Sequence, residues 1–255
     1  MGRTFEAIER AEKEYKRLVK QAGGISPEER FYLAPEGKHK ANGNGHVRPE
    51  RLGSLRTKIL TRYTGKAVKV KTILVTGTAH GGGTSTTAVN LATSLAGDGH
   101  SSVLLVDANL RTPGLHRFFR TDSFKGMSEL LDVHGERSFD FKKIGENQLY
   151  LFPCGVKRTK SDGYFESARF DQFYNNVRNT FDFVIFDSAP VQGFPDTQSL
   201  CSRVDGVILV ITYDKTRRQV ALRAKKELED AGAHILGVVI NRRKYYIPDW
   251  IYRRL

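Results

Sequence analysis

The strongest constraint on this chain is 72-TILVTGTAHGGGTSTTAVNLATSLAG-97, an apolar run that breaks into glycines and then into hydroxyl residues. The apolar run predicts a buried strand, and STTAVNLATSLAG over 85–97 predicts a helix that starts where the glycines end. Gly77, Gly81, Gly82 and Gly83 let the backbone curl so that several N–H groups point inward. The helix N-terminus adds its positive dipole end, so the segment is suited to hold phosphate. Its general pattern is G-x-x-x-x-G-K-[ST], in which the last hydroxyl holds Mg²⁺. Ser85 stands at that hydroxyl, but Thr78 replaces the first glycine and Thr84 replaces the lysine. A glycine-rich turn alone is a weak signal, so its partners decide.

Those partners come from the sheet around it. SVLLVDAN, LYLFPCG, FDFVIFDSAP, GVILVITYD and ILGVVIN read as further strands buried on both faces, and 216–231 reads as a helix ending at Gly232. Strands alternating with helices predict an α/β fold with a doubly wound, mainly parallel sheet over 48–241. Ligands of such sheets bind beyond the carboxyl ends of the strands. Two strands end there in aspartate, VLLVD at Asp107 and FVIFD at Asp187. Beside a phosphate loop such a carboxylate holds a metal directly or through water; the plainer alternative is that each caps the turn after it.

The flanks differ in character. Phe5, Ile8, Ala11, Tyr15, Leu18 and Ala22 form one stripe of an amphipathic helix over 1–22. A flexible linker is expected over 23–47, and 242–255 is a tail rich in Tyr and Arg. The net charge of +13 favours anionic partners, whether nucleotide, nucleic acid, acidic protein or the inner membrane surface. Cys154 and Cys201 are too few for a disulfide framework and read as buried thiols. No run reaches the roughly 18–20 apolar residues of a membrane span, and the charged start is no secretory signal. A cytoplasmic protein, peripheral at the inner face of the plasma membrane, is therefore expected.

GGGTSTTAVNLA, LLVDANLRTPGLHRFF, FDFVIFDSAPV, DGVILVIT and GVVIN together resemble the bacterial tyrosine kinases of capsule and exopolysaccharide systems. These belong to the deviant-Walker P-loop NTPases that also include MinD and ParA, and the resemblance runs from about Pro49 to Asn241. It implies ATP and Mg²⁺ as ligands, a Walker A loop over Gly77–Thr86 and a Walker A′ segment over Asp107–Arg111. It also implies a Walker B Asp187 and a nucleotide-side Asn241. On that basis Gly81, Gly82, Gly83, Thr84, Ser85, Thr86 and Asn241 would hold nucleotide. Ser85, Asp107 and Asp187 would hold metal, and Asp107, Asp187 and Arg111 would carry the chemistry. Arg111-x-Pro113, the SAP after Asp187, and Ala79 where MinD and ParA place an early lysine all favour the tyrosine-kinase branch. In the resembled family, clustered C-terminal tyrosines are phosphorylated by a neighbouring subunit; Tyr245, Tyr246 and Tyr252 are the candidates, or else they pack with Trp250 onto the domain. A membrane polysaccharide co-polymerase, acting in trans, is the implied partner.

Three departures bear on activity. Thr84 removes a cation whose charge-assisted bond contributes about 1.5–3 kcal/mol, or roughly 10- to 150-fold in affinity. Asn109 replaces a second aspartate of the Walker A′ segment. Gly53 replaces the middle arginine of the E-x-x-R-x-x-R oligomer motif over Glu50–Arg56, which weakens ring assembly. Arg111, Lys215 and Arg217 lie at strand ends and are candidates to replace the lost cation. The expected function is a tyrosine-autokinase-like, ATP- and Mg²⁺-binding protein with impaired catalysis. A noncatalytic nucleotide-sensing scaffold is the alternative, and a ParA-like DNA-binding ATPase is disfavoured by Ala79.

Overall fold

The computed structural model describes residues 30–32, 56–57, 59, 70–97, 99–121, 125–131, 140–157, 163–213 and 215–241. The 1–22 helix, Gly53 and the tyrosines at 245, 246 and 252 lie outside them. In chain order the elements are β1 (Arg30–Tyr32), β2 (Thr72–Gly77), α1 (Thr84–Ala96), β3 (Val103–Asp107) and α2 (Leu115–Phe119). They continue with α3 (Met127–Leu130), β4 (Lys142–Ile144), β5 (Leu149–Phe152), α4 (Ala168–Thr180) and β6 (Phe183–Asp187). α5 (Pro195–Cys201), β7 (Gly206–Thr212), α6 (Arg218–Asp230) and β8 (Ile235–Asn241) follow, and a 3-10 turn over Tyr164–Glu166 precedes α4.

The apolar runs become strands because both of their faces are covered. β2, β3 and β6 are buried at every position, as parallel strands between two helical layers must be. Alternate side chains feed two separate cores. Leu74, Leu104, Val106, Val184, Phe186 and Leu209 face Phe170, Phe173 and Val177 of α4, Leu200 of α5 and Leu228 of α6. Ile73, Val75, Val103, Leu105, Ile185 and Val210 face Ala88, Val89, Leu91 and Leu95 of α1, with Ile59 beside them.

The strand order among the described residues is β1-β8-β7-β2-β6-β3-β5-β4. All pairs are parallel except β4 with β5. The sheet is the doubly wound, mainly parallel one read from the sequence, with one correction. Arg30–Tyr32, placed in a flexible linker, forms an edge strand parallel to β8. Three residues carry too short a pattern to signal a strand; pairing with β8 supplies what local sequence does not.

The five central strands, β8, β7, β2, β6 and β3, all end on one side, which sets the site. At the opposite end Asp205 ties the sheet together, accepting from the amides of Lys71 and Thr72 and from Arg178 at 2.7 Å.

Candidate functional site

The loop between β2 and α1 has the curl its glycines predict. Gly81 and Gly83 lie at φ +70° and +87°, a region costly for any residue with a Cβ. Gly83 is also sterically required, because a Cβ there would fall on the Asn241 amide nitrogen. That nitrogen donates to the Gly82 carbonyl at 3.0 Å, so Asn241 at the end of β8 braces the loop from behind. Helix α1 opens with no side-chain cap and no acidic residue in its first turn, which leaves its leading N–H groups and dipole for an anion. Thr84 turns back over β2: a Cβ on Gly77 would meet its hydroxyl oxygen at 2.5 Å. On the other side, the Thr78 hydroxyl lies 3.3 Å from that of Thr216, which accepts from the Thr212 amide at 3.0 Å. The exposed Lys215 and Arg217 flank this anchored threonine.

The two strand-end carboxylates are register partners on β3 and β6, both fully buried, yet differently used. Asp107 accepts from the amides of Asn109, Gly114 and Leu115 at 3.0–3.2 Å, so the capping alternative describes it. Burial pushes its carboxyl up to about 6, against the lowering effect of those three amides. Neither Asp187 oxygen accepts a hydrogen bond of normal length, and no backbone amide serves them; the Ser85 hydroxyl is the donor beside them. Its carboxyl lies well above the aspartate range, first through burial and then through the charge of Asp107; the neighbouring Ser85 hydroxyl opposes this only in part. No capping role describes Asp187.

Buried orphan oxygens in a native fold call for a specific partner. Among the described residues no group of three or more His, Cys, Asp or Glu forms a metal cage. Mg²⁺ does not require one, since it keeps several waters and shares its coordination with substrate phosphates. Asp187, Ser85 at the first turn of α1, and Asp107 through water make up a donor set of that kind. The residues present fit the ion.

The segment after β3 is less free than its sequence suggests. Asn109 accepts from the amide and the hydroxyl of Thr112 at 3.1 and 3.0 Å, so it shapes a turn. Arg111 lies 3.6 Å from the Asp196 carboxylate and stacks over the Phe194 ring at 5.4 Å. His80, at the tip of the glycine loop, meets the same ring edge-on at 5.3 Å. Gly81, Gly82, Gly83, Thr84, Ser85, Thr86, Asp107, Asp187, Arg111 and Asn241 thus all gather around the carboxyl ends of the five central strands. Phe194, Asp196, His80 and Thr216 escaped the sequence reading. The first two follow an aspartate-ended strand, where a site loop belongs; His80 occupies a position the loop pattern leaves open.

A family profile described as an AAA domain matches residues 70–220. The chain is 30% identical over 176 residues to tyrosine-protein kinase YwqD of Bacillus subtilis, covering 69% of this chain and 74% of the relative. It is 28% identical over 194 residues to tyrosine-protein kinase CpsD of Streptococcus agalactiae, covering 76% and 82%. The kinase domain of the Escherichia coli tyrosine kinase ETK superposes with a TM-score of 0.76 at 20% identity, covering 89% of this chain and 96% of that one. The cell-division ATPase MinD of Pyrococcus furiosus superposes at 0.57 with 20% identity, covering 68% and 72%; these two likenesses concern the fold.

Proposed function

We propose that this chain, which belongs to the P-loop AAA-domain proteins and within them to the bacterial tyrosine-kinase family, binds ATP with Mg²⁺ and serves capsule or exopolysaccharide biosynthesis. One observation carries the nucleotide reading: a fully buried Asp187 that no backbone amide satisfies, set beside Ser85 and an uncapped helix N-terminus. The backbone of Gly81–Gly83 and the first turn of α1 bind phosphate, while Asn241 keeps the loop in its receiving shape. Ser85 and Asp187 hold the ion, and Asp107 orients its water. When bound, the ion neutralises charge on the phosphates. The protein's own contribution is to position these groups. Arg111 supplies cationic charge on the side where the lysine is missing.

The partner is a membrane polysaccharide co-polymerase, a reading supported by the likeness to the tyrosine-protein kinases CpsD and YwqD. The net charge of +13 draws the chain to the anionic inner face. Homo-oligomers form through an interface weakened at Gly53, and Tyr245, Tyr246 and Tyr252 accept phosphate.

A second reading, a nucleotide-sensing scaffold without phosphoryl transfer, is favoured by Thr84. Its hydroxyl folds back over Gly77, so the side chain at that position supplies no charge to the phosphates and only its amide is left for them. Incubation with Mg-ATP and a co-polymerase fragment separates the two readings. Phosphotyrosine on the wild type that disappears in Asp107→Ala supports the kinase. A silent wild type beside a phosphorylated Thr84→Lys supports the scaffold. Silence in both, with no nucleotide retained, overturns both.

A further inference from the structure

Phe194 has no place in the loop pattern, yet segments from two other strand ends converge on it. It is the N-cap residue of α5, seven residues beyond Asp187. Arg111, four residues beyond Asp107, lays its guanidinium 5.4 Å from the ring centroid. His80, at the tip of the glycine loop, meets the ring at 5.3 Å with an interplanar angle of 85°. The guanidinium is further held by Asp196, which is 8% exposed and stands two residues after Phe194. One half-buried aromatic ring therefore fixes a cation from the β3 side and an imidazole from the loop side.

The direction of this arrangement matters. If Ser85 and Asp187 hold the ion, it would neutralise charge on the outer phosphates of a nucleotide from that side of the loop. The terminal phosphate then lies on the Asp107–Asp187 side of the loop, where the segments bearing Arg111 and Phe194 emerge. The inner phosphates are served by the backbone of the loop, which the loss of the lysine leaves intact. The lysine reaches the last two phosphates, so the terminal one loses counter-charge that the loop backbone does not replace.

We infer that Phe194 is a positioning residue that presents Arg111 and His80 to the terminal phosphate and so sets the preference for a nucleoside triphosphate over a diphosphate. This rests on the nucleotide reading above. An aromatic face suits the task, since it orients a planar guanidinium by cation–π attraction while leaving the N–H edges to bind phosphate. Asp196 keeps the guanidinium from swinging into solvent.

The test uses the full chain with Mg²⁺ and two fluorescent probes, mant-ATP and mant-ADP. Loss of a charge-assisted contact to the third phosphate lowers affinity roughly tenfold. Phe194→Leu is therefore expected to weaken mant-ATP about tenfold while changing mant-ADP by no more than about twofold. Phe194→Tyr, which keeps the ring, should retain the wild-type ratio; a merely structural role would not separate the two probes in this way. His80→Ala, at an exposed position, gives a second variant with little bearing on folding and should also narrow the ratio. A ratio unchanged in Phe194→Leu and His80→Ala, in protein that binds both probes, overturns the inference and leaves the nucleotide reading standing. A wild type that binds neither probe overturns that reading, and the inference with it.

Discussion

Replacing Gly83 by alanine tests the brace between β8 and the glycine loop. Two separate costs follow from the geometry. Alanine at φ +87° costs about 1–2 kcal/mol in backbone strain. Its Cβ would also fall on the Asn241 amide nitrogen and displace the bond to the Gly82 carbonyl. Leaving those buried groups unpaired costs about 1–3 kcal/mol more, so the total is about 2–5 kcal/mol. Gly99→Ala isolates the first cost, because Gly99 has φ +71° and nothing within 4 Å of an added Cβ. Asn241→Ala removes every atom the new Cβ would strike, so Gly83→Ala in that background should cost only what Gly99→Ala costs. Urea unfolding of the four proteins gives a coupling of about 1–3 kcal/mol between positions 83 and 241. Simple additivity, or a Gly83→Ala cost equal to that of Gly99→Ala in the wild-type background, refutes the reasoning.

Three further outcomes can be measured. Asp107 and Asp187 have folded-state values above the ordinary 3.8, so in metal-free protein the stability linked to them is complete below that value and falls as pH rises, through about 6 for Asp107 and through the raised value of Asp187. Asp187→Asn should raise metal-free stability at pH 8 by about 1–3 kcal/mol and flatten that decline in thermal melts; a variant less stable than wild type at pH 8 contradicts the orphaned-carboxylate account. Asp205 behaves with the opposite sign. Burial raises its carboxyl, but the amides of Thr72 and Lys71 together with Arg178 outweigh burial and bring it below 3.8. Its contribution is present above that value and lost as the pH falls through the lowered one, so Asp205→Asn should weaken the protein at pH 7 and lose its penalty in acid. Burial pushes the Cys201 thiol up to about 12, and Cys154 is buried too, so neither should react with a thiol reagent at pH 8 until denaturant is added. Prompt labelling of the folded protein speaks against that packing.

The sheet was legible because its strands are buried on both faces and therefore read as unbroken apolar runs. β2, β3, β5, β6, β7 and β8 all coincide with such runs, and Gly232 lies past the end of α6 at φ +77°. The edge strands β1 and β4, three residues each, left no comparable pattern, since pairing with a neighbour defines them. Helix α4 presents Phe170, Phe173 and Val177 at steps of three and four, but its mean character is polar and the sequence reading passed over it. In the site, the glycines, both aspartates and Asn241 could be found because their residue types are tied to backbone curl or to strand ends. Tertiary placement decided the rest. Nothing local shows that the Asp107 oxygens go to Gly114 and Leu115 while no backbone amide serves those of Asp187. Nor does sequence show Phe194 meeting His80 across 114 positions of chain.

The central claim is that a loop without its lysine still binds nucleotide through an ion at Asp187. Calorimetric titration of ATP into the wild type and into Asp187→Asn, each with and without Mg²⁺, tests it directly. The account predicts binding that depends on Mg²⁺ in the wild type, and an Asp187→Asn protein whose ATP affinity no longer responds to the ion. Binding that ignores Mg²⁺ in the wild type, or an undiminished Mg²⁺ response in Asp187→Asn, contradicts it.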